Sequence, residues 1–272
     1  MHRRDFLSLA PAAALVSHAA LARPGAAPAA LKPMTGASKP IAPAERLARI
    51  AKLQKLMVDA KVGALIVESG STLDYFTGVQ WRRSERTTAA VIPARGEVVL
   101  VTPFFEEPSV RETLVVPGDV RPWNEHESPF ERIVGALRDR GVASGDIAFE
   151  DTTRLFIVDG VRAANPALRV VSGTQLVRAC RLIKSPAELA LMQTANDITL
   201  AALKHTHAHV RAGMRPKDIE ALMAAAVAQL GGTNQFTDVL LNEAAAYPPG
   251  SRQPQVVKEG GVVLIDTGCS VH

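Results

Sequence analysis

Cysteine is nearly absent: Cys180 and Cys269 are the only two in 272 residues. A disulfide scaffold needs more cysteines in a smaller chain, so two thiols are expected. Aromatic residues are also few, at 4%. There is no basic block. The 31 Lys and Arg against 27 Asp and Glu leave a net charge of only +4, spread along the chain, and a nucleic-acid partner requires a clustered cationic face. The sequence pI near 9.3 bears on solubility and says little about function. No internal repeat is present. What remains is globular in composition, 47% hydrophobic and 21% charged, with length for one large domain or two ordinary ones.

Residues 1–22 do not read as part of the fold. Arg3-Arg4-Asp5-Phe6-Leu7 is a twin-arginine pattern, an apolar stretch runs from Leu7 to Val16, and Ala20-Leu21-Ala22 is an Ala-x-Ala cleavage site. The apolar stretch is too short to span a bilayer. Export to the periplasm or outside the cell is the expectation. Residues 23–44 hold Pro24, Pro28, Pro33, Pro40 and Pro43 among alanines and read as a linker, with order beginning near Glu45.

Beyond it, strands and helices alternate. Leu47, Ile50, Leu53 and Leu56 recur at helical spacing over 44–60. Gly63–Val67, Thr87–Ile92, Val98–Thr102, Ile147–Glu150 and Leu168–Val171 read as strands, with a hairpin turn at Pro93–Glu97. Helices are expected at 73–78 (closed by Gly78), 104–113, 129–140, 153–164 and 175–181. This is the pattern of a complete α/β domain over 45–178. The character changes at Leu182. Ser185, Pro186 and Glu188 form an N-cap, N1 and N3 set ahead of a long helix, 186–210. A second helix follows Arg215-Pro216, and two apolar strands come last, Val239–Leu241 and Val262–Asp266.

Asp266 is the candidate metal ligand. The buried-strand pattern Val262-Val263-Leu264-Ile265 ends in Asp266-Thr267-Gly268, which places a carboxylate at a strand end, at the mouth of a sheet. One carboxylate cannot hold a catalytic metal. His205 and His209 have the i,i+4 spacing of helical zinc ligands, but no third ligand is evident and a zinc-protease Glu is missing, so a solvated helix face is expected. His272 is read as incidental, Arg82-Arg83-Ser84-Glu85-Arg86 as a solvated charged loop or a lid, and Cys269 as pointing away from the Asp266 face.

Several stretches carry a family resemblance: Ile183-Lys184-Ser185-Pro186-Ala187-Glu188-Leu189, Gly213-Met214-Arg215, Ala246-Tyr247-Pro248-Pro249-Gly250-Ser251 and Gly260 to Gly268. Residues 182–272 resemble the N-terminal half of a pita-bread metallopeptidase domain, as in Xaa-Pro aminopeptidases and prolidases. Residues 45–178, with Tyr75-Phe76-Thr77-Gly78, resemble the creatinase/prolidase N-terminal domain. The resemblance implies an α/β domain followed by an incomplete α+β catalytic domain. It further implies hydrolysis of proline-containing peptides or dipeptides, two divalent metal ions (Mn, Co or Zn), and a possible homodimer. Of the family's five ligands only the first Asp has a match, Asp266, and Pro249 stands where the family has a His. The resemblance therefore predicts a chain that is inactive as it stands and binds the metals poorly. The alternatives are a non-catalytic peptide- or protein-binding form and a creatinase-like amidinohydrolase.

Overall fold

The computed structural model describes residues 30–247 and 250–272; the twin-arginine pattern and Pro249 lie outside them. The chain folds as two compact units, one of Gly36–Asn196 with the last two residues, the other of Asp197–Ser270 with the described residues up to Thr35.

The first unit is a six-stranded sheet between two helical layers. Its strands are β1 (Val62–Glu68), β2 (Ala89–Pro93), β3 (Val98–Pro103), β4 (Gly118–Trp123), β5 (Gly145–Phe149) and β6 (Leu168–Ser172), in the order β4-β3-β2-β1-β5-β6. The β1–β2 and β2–β3 pairs are antiparallel, and β3–β4, β1–β5 and β5–β6 are parallel. The central strands are buried on both faces, so β1 to β3 read as continuous Val/Ile/Leu runs. One face packs Leu65, Val67 and Leu100 against Leu53 and Met57 of α1 (Pro43–Asp59) and Phe76 of α2 (Ser71–Thr77), with Val110 of α3 (Glu107–Thr113) and Val177 of α6 (Thr174–Arg181). The other packs Ile66, Val91 and Ile147 against Ile133 and Leu137 of α4 (Pro129–Asp139) and Ile157 and Val161 of α5 (Leu155–Ala164). Gly78 closes α2 with φ 83°, a left-handed cap that glycine adopts without a Cβ penalty.

The long helix α7 (Pro186–His209) starts as its sequence dictates. The Ser185 hydroxyl accepts from the Glu188 backbone N–H at 3.1 Å, and the Glu188 carboxylate accepts from the Ser185 N–H at 2.8 Å. The same residues tie α7 to α1. Ser185 Oγ donates to Glu45 Oε1 at 2.7 Å, and the Arg49 guanidinium lies 2.7 Å from Glu45 and 3.3 Å from Glu188.

The second unit holds α8 (Pro216–Gln229) and an antiparallel pair, β7 (Thr233–Leu241) and β8 (Val263–Ser270). Val263 and Ile265 of β8 join Val239 and Leu241 of β7 over Ile219 of α8. Two expectations are corrected here. Order begins before Glu45: residues 30–42 belong to the described structure, with a turn at Gly36–Ala37, and the Met34 N–H donates to the Leu230 carbonyl at 2.9 Å. The strand holding Asp266 does not end there either. It runs on to Ser270 because the nine-residue β7 offers it a partner along its whole length. Among the described residues no helix is long and apolar enough to cross a membrane.

Candidate functional site

Asp266 sits mid-strand in β8, directly opposite Asp238 of β7. Directly opposed residues of an antiparallel pair share a face, so both carboxylates stand on the side away from α8, where both are exposed. Their neighbours on that face are the Leu240–Leu264 and Phe236–Gly268 pairs. One residue along, Thr237 Oγ1 and Thr267 Oγ1 lie 3.0 Å apart on the other face. Like charges directly opposite each other destabilise a ladder by about 0.2–1 kcal/mol, and among the described residues no cation forms an ion pair with either carboxylate.

Asp238 is the site residue that sequence reasoning missed. Its signal was the alternation Phe236, Asp238, Leu240. That alternation points to Asp266 only once the register is known.

Beside Asp238 lies an open groove of about 550 Å³. Arg215, Lys217, Glu220 and Asp238 contribute charge, and Leu240 and Val256 contribute apolar floor. Arg215 is partly committed: its guanidinium meets Asp218 at 3.1 and 3.2 Å, and that hydrogen bonding holds the Asp218 carboxyl below its usual range.

The donor set does not fit a two-metal centre. Among the described residues no three or more His, Cys, Asp or Glu side chains gather in a metal-holding group. Asp238 and Asp266 are two carboxylates, whereas a divalent ion that favours oxygen takes about six or more ligands.

Cys180 is buried and Cys269 half-buried, both as thiols. Burial pushes the Cys180 thiol up, away from reactivity. The Cys269 sulfur lies 3.3 Å from Thr199 Oγ1 of α7, on the face opposite Asp266. His272 is exposed. His205 and His209 are half-buried rather than a solvated face. The arginine loop is anchored rather than simply solvated. Glu68, 1% exposed, is paired with Arg154 and lies 3.7 Å from Arg83. Arg154 reaches on to the Ser84 carbonyl at 2.6 Å, and Arg86 meets Glu125 at 2.7 Å.

The architecture defines a class: a creatinase/prolidase N-terminal domain followed by part of a metallopeptidase domain. Residues 49–183 match the creatinase/prolidase N-terminal domain model, and residues 190–272 match the metallopeptidase family M24 model. Over these two segments the chain is similar to the creatinase/prolidase N-terminal domain and to metallopeptidase family M24.

It is similar to an uncharacterized peptidase of Schizosaccharomyces pombe, 28% identical over 81% of this chain and 51% of that one. It is also similar to a probable dipeptidase PepE of Mycobacterium tuberculosis, 25% identical over 81% of this chain and 58% of that one. The chain thus spans little more than half the length of these relatives. Among solved structures, dipeptidase PepE from Mycobacterium ulcerans superposes with a TM-score of 0.73 at 23% identity, covering 85% of this chain and 62% of that one. Prolidase from Thermococcus sibiricus gives 0.73 at 18%, covering 83% and 62%. These likenesses establish the pita-bread fold with its N-terminal domain.

Proposed function

We propose that this protein belongs to the metal-dependent hydrolysis of short peptides with proline in the second position, and that Asp266 is its contribution to the metal centre. The observation that carries this is the exposed Asp266 carboxylate, set opposite Asp238 inside the segment that matches the metallopeptidase model. Two similar proteins bearing the names dipeptidase and prolidase support the substrate class.

Because the described residues gather no three-donor group, this chain alone is expected not to turn over a Xaa-Pro dipeptide. The test is proline release from Ala-Pro by the purified chain with added Mn²⁺, Co²⁺ or Zn²⁺. Turnover abolished by Asp266→Ala would overturn the expected inactivity and assign the centre to Asp266.

A second reading is a non-catalytic peptide-binding form. The groove beside Asp238 favours it, because it offers a carboxylate, a lysine and an apolar floor, which together suit a short zwitterionic peptide. Ala-Pro binding that is weakened by Lys217→Ala, without turnover, would separate this reading from the first. In both readings residues 1–22 serve as a twin-arginine export leader.

A further inference from the structure

Near the C-terminal end of α7, His205 and His209 stand one helical turn apart, their ring centroids 4.2 Å from each other and their planes tilted by 35°. Nδ1 of His209 lies 2.7 Å from the His205 carbonyl oxygen. A carbonyl can only accept, so this Nδ1 carries the proton, and the lone pair of the ring falls on Nε2. Metal-ligating histidines are oriented in this way, one ring N–H spent on a carbonyl and the other nitrogen left to bind. His205 supplies an independent sign: its Nδ1 is buried and has no hydrogen-bond partner among the described residues. A buried polar atom left unmatched calls for an explanation.

The spacing is close to what a shared ion requires. An imidazole nitrogen binds zinc at about 2.0–2.1 Å, and adding a ring radius of about 1.1 Å puts each centroid about 3.2 Å from the ion. An angle of about 90–110° at the ion then separates two centroids by about 4.5–5.2 Å. The observed 4.2 Å is a few tenths short of this range, within reach of small side-chain rotations. The last turn of a helix also favours positive charge through its exposed carbonyls. Arg211 competes for those carbonyls, donating to Ala208 and Val210 at 2.7 and 2.8 Å.

We propose that His205 and His209 form a two-imidazole chelate for a first-row ion that favours nitrogen, Cu²⁺, Ni²⁺ or Zn²⁺, closing the last turn of α7. Imidazole selects these ions over Mn²⁺ and Mg²⁺. Since no third protein donor joins the pair among the described residues, water or a donor from another molecule fills the remaining positions. The site is independent of Asp266 and of the peptidase reading.

The test uses the full, tag-free chain, stripped with a chelator and titrated with Ni²⁺ alone by calorimetry. Electron paramagnetic resonance of the Cu²⁺-loaded chain counts the bound imidazoles. One equivalent is expected at this site, with two nitrogens. Its affinity should fall at least tenfold in His205→Ala and in His209→Ala, and stay unchanged in His207→Ala and Asp266→Ala. The rise in Tm produced by Ni²⁺ within each variant should vanish with His209→Gln, whatever that variant's own stability. Affinity within twofold of the parent in the His205→Ala/His209→Ala double variant overturns the proposal. So does a loss caused by His207→Ala, or a spectrum with a single imidazole.

Discussion

Replacing Arg154 by Met would test whether one buried carboxylate governs the first unit. Glu68 ends β1 with its side chain 1% exposed, and Arg154, at the N-cap of α5, donates to it through Nε at 2.6 Å and through its backbone N–H at 3.2 Å. Removing one partner of a buried ion pair costs about 3–5 kcal/mol, because the other charge is left uncompensated. The backbone N–H survives the substitution, and Arg83 remains 3.7 Å away, so the lower end, about 3 kcal/mol, applies. For a unit of this size each kcal/mol moves Tm by about 2–4 °C, which gives a drop of about 6–12 °C. Calorimetry or urea denaturation reads it. Arg83, 40% exposed at the same carboxylate, should cost below about 1 kcal/mol when changed to Ala. Adding Glu68→Gln to Arg154→Met should restore at least half of the loss, since no buried charge then remains. If Arg154→Met costs no more than Arg83→Ala, the burial of Glu68 does not carry the energy assigned to it.

Three further outcomes are expected. Burial pushes the Glu45 carboxyl up, but the Ser185 hydroxyl and the Arg49 guanidinium outweigh it and hold the group below its ordinary value near 4.5; a depressed acid stabilises the fold above its unfolded pKa and loses that stability as pH falls through the folded pKa. Ser185→Ala should therefore flatten the fall in urea midpoint below about pH 4.5, besides costing about 1 kcal/mol at neutral pH through loss of the N-cap; midpoint curves that run parallel for parent and variant would contradict this. In limited proteolysis followed by mass spectrometry, 36–196 should outlast 197–270, because β7–β8 is a two-stranded sheet that leaves Phe236, Val262 and Leu264 exposed, and equal resistance would show that two strands suffice. Under the proposed export route, changing Arg3 and Arg4 to Lys should hold the precursor in the cytoplasm, and normal periplasmic processing would remove the twin-arginine reading.

What was legible in the sequence follows from where side chains meet each other. The helix of α1, the Gly78 cap and the Ser185–Glu188 capping box are local, and each was readable from neighbours within a turn. Strands β1 to β3 announced themselves because both of their faces are buried. Strand β4 did not, since Asp119, Arg121 and Pro122 break any apolar pattern; it lies at the sheet edge, where proline and charge are tolerated. The first half of β7, Thr233 to Asp238, was hidden for a related reason: it is mostly exposed. With it went the register, and so the Asp238–Asp266 pairing. The histidine pair shows the same limit, because spacing gave the shared helix face while burial of the His205 nitrogen came only from packing.

The hydrogen bond between Met34 and Leu230 also sets a clock on synthesis. At about 5–20 residues per second, the ribosome needs roughly 10–40 s to pass from one of these positions to the other. For an interval of that length after it emerges from the exit tunnel, the segment around Met34 has no docking place, while the sheet that follows it in sequence can already close. The earliest described residues of the chain are therefore among the last to find their place, and whatever binds the nascent amino terminus has that window in which to act.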